Sequence, residues 1–253
     1  MLERLPFLDT DFPISQLLNS VALVRRDRDV NRGSPRLRRL EGYLAVNQAA
    51  NLYARDCIDS EYVSGAYDPD SIFVTCIDAA RAAILDAMPE WQELLALPVS
   101  VYLVPTASYW GYSILTRPQQ IFLGCSDEQA NSLPLLIENF LHEFAHIWLY
   151  LLQEVHCFQV PLKEIAYTLP SGTQGRSVTA TVDAAFVAAV LRRYYARSGN
   201  VARRRELAVY LAGCLRRIQN DPDLTVSGHA VCRRLANELT VPAVQLSQLC
   251  AHG

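Results

Sequence analysis

A chain of 253 residues, 51% of them hydrophobic, is long enough to bury a hydrophobic core of ordinary size. Its formal net charge of -3 excludes the strong positive field of a protein that binds nucleic acid or anionic membranes by charge alone. Seven cysteines without a Cys-x-x-Cys pair indicate buried thiols in a reducing compartment rather than a disulfide framework. The acidic start and the lack of a long apolar run predict a cytoplasmic protein that binds neither membranes nor nucleic acid.

The amino-terminal part of the chain is predicted to be helical. Apolar residues recur at helical spacing over residues 14–60, and a break at residues 31–35 predicts two helices joined by a turn. Asp70 or Ser71 is expected to cap a third helix, which ends before Pro89.

A small sheet is predicted in the middle of the chain. After a short helical piece at residues 91–97, the alternating and β-branched stretch 99–104 predicts a strand, and residues 120–124 predict a second one. The segment between them, residues 106–117, is rich in aromatic residues and is expected to be a loop that overhangs a cleft.

Helical patterns return in the second half of the chain. One apolar helix is expected to run to about Val155, and residues 160–175, with two prolines and two glycines, predict a loop. Further helices are expected at residues 177–197 and 201–219, with two short pieces near the carboxyl end. The predicted fold class is therefore α+β and mostly helical.

The motif that carries chemistry is His142-Glu143-Phe144-Ala145-His146 in the long apolar helix. Successive residues of an α-helix are about 100° apart, so histidines four apart lie on one face and can bind one ion. In metallopeptidases the glutamate of this motif is the general base. Burying these polar groups in an apolar helix without a purpose would be costly. We therefore predict that His142 and His146 bind a divalent metal ion.

A third protein ligand has to come from elsewhere in the chain. Asp183 is the only carboxylate in the apolar helical stretch 178–191, which is unfavourable unless the carboxylate is satisfied. We expect Asp183 to bind the metal directly, with a hydrogen bond to an imidazole as the alternative. His156 is poorly placed on the helix, and no pattern supports His229 or His252.

The chain resembles a known group, the HExxH-type peptide-modification proteins, which are described as 2-oxoglutarate-dependent peptide β-hydroxylases of peptide natural-product pathways. The resemblance covers residues 78–195, with its core at residues 136–149 and its end in the helix that carries Asp183. It implies an oxidoreductase, a dioxygenase that uses Fe(II) and 2-oxoglutarate. Arg176 matches an arginine that is suited to clamp a cosubstrate carboxylate.

A weaker resemblance connects the motif to the zincin metallopeptidases. It implies a zincin-like core. Separately, we expect residues 1–70 to form a helical region packed on a metalloenzyme domain at residues 71–253, unless the chain forms one domain. Under this alternative Zn(II) replaces Fe(II), Glu143 is the base, and Tyr109 or Tyr112 stabilises the oxyanion.

Three functions remain open on sequence grounds. The first is an oxygenase that hydroxylates a peptide or amino-acid-derived substrate, and the second is a zinc hydrolase of peptidase type. The third is a binding module whose metal is structural or absent. Both enzyme hypotheses predict a groove beside the strand at residues 121–124, where an extended substrate adds along the edge. The oligomeric state is left open.

Overall fold

The computed structural model describes residues 2–31, 65–104, 111–114, 117–124, 132–160 and 167–240. The helices within these ranges are α1 (Ile14–Asn31), α2 (Ser71–Ala87), α3 (Gln92–Leu95), α4 (Leu133–Val155), α5 (Val178–Arg197), α6 (Val201–Ile218) and α7 (Val226–Thr240), with a short 3-10 turn at Pro89–Trp91. The strands are β1 (Ser100–Val104), β2 (Gly111–Ile114) and β3 (Arg117–Gly124). The predicted class, α+β and mostly helical, is confirmed. Across these ranges, no helix combines the length and the apolarity needed to cross a membrane.

Most predicted helices are present, and local capping explains where they begin. The Asp70 carboxylate accepts a hydrogen bond of 2.8 Å from the Phe73 N–H, as expected for the start of α2. The Ser177 side chain accepts from the Ala180 N–H at the start of α5. The second amino-terminal helix was predicted in a region that lies outside the described residues. Near the carboxyl end, where two short helical pieces are expected, the described residues contain one helix of 15 residues, α7, and residues 241–253 lie outside them.

The sheet has three strands in the order β1-β3-β2. β1 runs parallel to β3, with Val101 beside Ile121, and β2 runs antiparallel to it, with Tyr112 beside Phe122. Two expectations are therefore wrong. Residues 111–114 form a strand rather than part of a loop, and β3 is the central strand rather than an edge. The strand β2 is only four residues long, so its own periodicity is too brief to reveal it.

The chain divides into two compact units. The first, called here the HExxH unit, comprises Ile14–Asp86 and Gln92–Val155. In it α1, β2 and β3 pack against α4, which is apolar around most of its circumference. The Trp148 indole of α4 is fully buried and donates a hydrogen bond of 3.1 Å to the Leu94 carbonyl.

The second unit, called the C-terminal unit, comprises Met1–Pro13, Ala87–Trp91 and His156–Gly253. Its centre is α5, which packs against both α6 and α7. The Phe7 and Trp91 rings meet edge to face at 5.0 Å, and the indole donates a hydrogen bond to the Phe7 carbonyl. The domain boundary predicted at residue 70 stays a prediction.

Gly228 gives a test of packing in the C-terminal unit. A Cβ atom there would overlap the Phe158 carbonyl and lie 2.7 Å from Cδ2 of Leu224. Helix propensity alone would make Gly228→Ala stabilising by about 1 kcal/mol. We expect the opposite sign, a loss of about 2 kcal/mol in the free energy of unfolding, because backbone atoms must shift. Urea denaturation measures this change in the free energy of unfolding. Ala230→Gly on the same helix is the control. If Gly228→Ala stabilised the protein, the close packing at Gly228 would be contradicted.

Candidate metal centre

The two histidines of the motif lie in the middle of α4. Their ring centroids are 5.0 Å apart and the rings are inclined at 60°. The α-helix places them on one face because they are four residues apart. The His142 side chain is 43% exposed, so solvent and a ligand can reach this face. The predicted pair of imidazoles is therefore brought together by the helix itself.

Glu143 is deeply buried beside this pair, since only 4% of the residue is exposed. One of its carboxylate oxygens, Oε1, lies 3.9 Å from Nε2 of His142. The other, Oε2, is buried and has no hydrogen-bond partner among the described residues. A buried acceptor without a partner carries a desolvation cost, which a bound water or cation would relieve.

Strand β2 closes over Glu143 because residue 111 is a glycine. A Cβ atom at Gly111 would lie 3.2 Å from Cγ of Glu143 and 3.1 Å from the Phe122 carbonyl. Two residues further along, the buried Oγ of Ser113 has no well-formed hydrogen bond to any described residue. Burial raises the pKa of Glu143 from 4.5 to about 8, and the Ser113 hydroxyl opposes part of that rise. In the metal-free protein this carboxyl is therefore largely neutral at pH 7.

Tyr150 is a site residue that the sequence analysis missed. Its ring stacks on that of His146, with centroids 5.7 Å apart and planes 23° apart. Its hydroxyl donates a hydrogen bond of 3.3 Å to the Ser113 carbonyl. Tyr150 follows His146 by four residues, so the spacing that pairs the histidines also places this ring on their face. It fixes one imidazole against the sheet.

Of the two tyrosines suggested for an oxyanion site, the structure describes only Tyr112, whose ring is turned away from Glu143. Tyr112 stacks on Phe122 with centroids 4.9 Å apart, in a cluster that also includes Tyr102. Side chains alternate along a strand, so Tyr112 lies on the opposite face of the sheet from Ser113, which approaches Glu143. Tyr109 lies outside the described residues.

Asp183 lies on α5 in the C-terminal unit and is buried, with 8% of the residue exposed. Its burial in an apolar helix is as expected. Within the described ranges, no three His, Cys, Asp or Glu side chains gather into one metal-binding group. The ligands that the structure brings together are thus His142 and His146, and the role of Asp183 as third ligand stays a prediction.

Arg176 lies just before α5, half-buried in the C-terminal unit. Its backbone pairs with that of Tyr167 in a short antiparallel bridge. Burial raises the pKa of Tyr210, and the charge of Arg176 is among those that oppose the rise, so the two side chains are near one another. The Tyr210 ring lines a cleft of about 460 Å³ whose lining also includes Pro170. The clamp role of Arg176 stays a prediction.

The groups around His142 and His146 provide some, but not all, of the ligands that a transition-metal ion needs. Two imidazoles on one helix face and a buried carboxylate oxygen without a partner suit such an ion, which usually takes three protein ligands at a catalytic site. No protein-family model matches the sequence, and no curated protein is significantly similar to it. The function therefore has to be inferred from the residues themselves.

Proposed function

We propose that this chain is a metal-dependent enzyme whose ion is bound by His142 and His146. The observation that carries the proposal is the pair of imidazoles with centroids 5.0 Å apart on one face of α4, next to the unpartnered oxygen of Glu143. Asp183 is the proposed third ligand, on the sequence pattern alone. A sheet packed on an HExxH helix also supports a zincin-like core.

The first candidate reaction is hydroxylation of a peptide or amino-acid-derived substrate, with Fe(II) and 2-oxoglutarate as cofactors. Two histidines and a carboxylate with open positions suit Fe(II), which supplies the oxygen chemistry when bound. The resemblance to the peptide β-hydroxylases supports this reaction, with Arg176 as the clamp for the cosubstrate. In this role Glu143 acts as a hydrogen-bond donor, and its raised pKa favours the neutral carboxyl that donates.

The second candidate is hydrolysis of a peptide with Zn(II). The observation that favours it is the unpartnered Oε2 of Glu143, which is placed to accept a proton from a water molecule. A cation beside the carboxyl would lower its pKa from about 8 towards the pH at which the enzyme works. A general base is most effective when its pKa lies near that pH.

We further propose that the enzyme works in a reducing compartment such as the cytoplasm. Its support is chemical: Cys76, Cys157, Cys214 and Cys232 are all free thiols. Free thiols of this number are typical of proteins that are kept reduced.

Metal binding is tested by reconstituting the chelator-treated protein with Zn(II) or Fe(II) and measuring bound metal by mass spectrometry. His142→Ala and His146→Ala should each weaken binding by at least about 100-fold, because one of few ligands is lost. Asp183→Asn should also lower bound metal sharply. The control is His229→Ala, a half-buried histidine outside the motif. Full metal retention in both motif variants would refute the site.

The reactions are separated by two assays on the same preparation. Iron-loaded protein is incubated anaerobically with 2-oxoglutarate, oxygen is admitted, and succinate is measured with a peptide library present. Zinc-loaded protein is incubated with the library and new amino termini are counted. Under the hydroxylase function succinate forms and Arg176→Leu abolishes it, whereas under the hydrolase function Glu143→Gln keeps the metal and loses cleavage by about 1,000-fold or more.

A further inference from the structure

Two buried aspartates occupy the connection between α6 and α7 in the C-terminal unit. Asp221 is 5% exposed and Asp223 is 8% exposed. The connection is held in place by its backbone, since the Val160 N–H donates to the Asp223 carbonyl at 2.7 Å and the Thr225 N–H donates to the Phe158 carbonyl at 3.1 Å. The two carboxylates are therefore fixed inside the protein rather than turned towards solvent.

Among the described residues, the hydrogen bonds of Asp221 and Asp223 leave one carboxylate oxygen without a partner. Asp221 accepts from the Asp223 N–H at 2.7 Å with Oδ1, and from the Tyr167 hydroxyl with Oδ2. Oδ2 of Asp223 is buried and accepts from no described residue. Over the described part of the chain, neither carboxylate forms an ion pair with an arginine, lysine or histidine.

Both carboxylates lie near the same phenol. The pKa of Tyr167 is raised to about 12, first by burial, then by its hydrogen bond to Asp221 and by the negative charges of Asp221 and Asp223. Asp223, which carries the unpartnered oxygen, therefore lies close enough to Tyr167 for its charge to act on the phenol. Among the described residues no basic side chain pairs with these two carboxylates, and a bound cation would supply that partner.

We propose that Asp221, Asp223 and the Tyr167 hydroxyl bind one hard divalent cation of the Ca2+ or Mg2+ class. The donors are all oxygen atoms, which these cations prefer, and no imidazole or thiol takes part. The site does not depend on the metal centre proposed for α4, because that centre uses nitrogen ligands that Ca2+ binds poorly. Its expected consequence is a stabilised connection between α6 and α7.

Thermal unfolding of the chelator-treated full chain, with and without added Ca2+, tests the site. At a Ca2+ concentration about 100 times the Kd, the Tm of wild type should rise by roughly 5 °C. Asp223→Asn should abolish the rise, because the carboxylate that would bind the cation is gone. Asp68→Asn, a change at an exposed carboxylate, should keep the full response.

Isothermal titration with Ca2+ gives a second readout that does not depend on the stability of a variant. Wild type and a His142→Ala variant should bind one equivalent alike, whereas Asp221→Asn and Asp223→Asn should not. A wild type without a Ca2+-dependent Tm rise or heat of binding, a similar Ca2+ response in Asp223→Asn, or loss of the response in His142→Ala would each overturn the proposal. The last result would place the ion at the motif instead.

Discussion

Replacing Glu143 by glutamine should stabilise the metal-free protein at alkaline pH. Burial raises the pKa of Glu143 from 4.5 to about 8, so the folded state favours the neutral carboxyl. The contribution of a neutral Glu143 to stability is complete below about pH 4.5 and is lost as the pH rises to about 8. At pH 9 the loss should be about 5 kcal/mol, since each pKa unit corresponds to about 1.4 kcal/mol.

Urea denaturation in the presence of a chelator measures this difference. The free energy of unfolding of Glu143→Gln minus that of wild type should grow between about pH 4.5 and about pH 9. Any cost of burying the glutamine amide is the same at every pH, so the slope rather than the offset is diagnostic. A difference that does not vary with pH would contradict a carboxyl buried in the folded state.

Ser113 provides the matched control for this prediction. Because its hydroxyl opposes the rise in the pKa of Glu143, Ser113→Ala alone should extend the loss of stability to higher pH. In a protein that already carries Glu143→Gln, the same serine change should leave the pH dependence unaltered. Saturating Zn(II) should remove the advantage of the glutamine variant, since a nearby cation favours the carboxylate.

Glu238→Gln should destabilise the protein by about 3–5 kcal/mol, the usual cost of leaving buried arginines with a missing partner. Glu238 is fully buried and receives two hydrogen bonds, of 2.7 and 2.8 Å, from Arg193. It also accepts one of 2.7 Å from Arg234, which in turn donates to Asp9 at 2.9 Å. The network joins α5, α7 and the amino-terminal segment of the C-terminal unit.

The pH dependence of this network has the opposite sign from that of Glu143. Burial alone would raise the pKa of Glu238, but the hydrogen bonds and charges of Arg193 and Arg234 lower it overall. Its contribution to stability is therefore complete above about pH 4.5 and is lost as the pH falls through the lowered pKa. As the pH falls, the free energy of unfolding should therefore decrease more steeply in wild type than in Glu238→Gln, which acid denaturation measures.

An exposed ion pair of similar length is the control for Glu238. Arg203 and Glu206 are joined by a 2.8 Å contact on the surface of α6, where the carboxylate side chain is 63% exposed. Glu206→Gln should change the free energy of unfolding by less than about 0.5 kcal/mol, because solvent screens the pair. If both variants lost stability equally, burial would not be what makes the Glu238 network important.

The long helices could be predicted from the sequence because their signals are local. Helix α4 is apolar around most of its circumference, and α5 begins where Ser177 can cap it. The strand β2 could not be predicted in this way. Its four residues, Gly111–Ile114, are stabilised by pairing with β3, and such cross-strand contacts leave no periodic signal in the strand itself.

The residues of the candidate site also differ in whether the sequence could predict them. His142 and His146 follow from helical spacing, and Tyr150 extends that series by one more step of four, so it could have been found. Ser113 and Gly111 could not, because they approach Glu143 only through the pairing of β2 within the sheet. The raised pKa of Glu143 is thus a property of the fold rather than of the motif.

The ion pair between Asp9 and Arg234 has a consequence for protein synthesis. The two residues are 225 positions apart in the chain. At about 5–20 residues per second, a ribosome makes Asp9 roughly 11 to 45 seconds before its partner. During that interval the C-terminal unit, to which the buried Leu5 and Phe7 belong, is incomplete. A chaperone that shields this segment should raise the yield of folded protein, and a chain cut short before Arg234 should be removed by proteolysis.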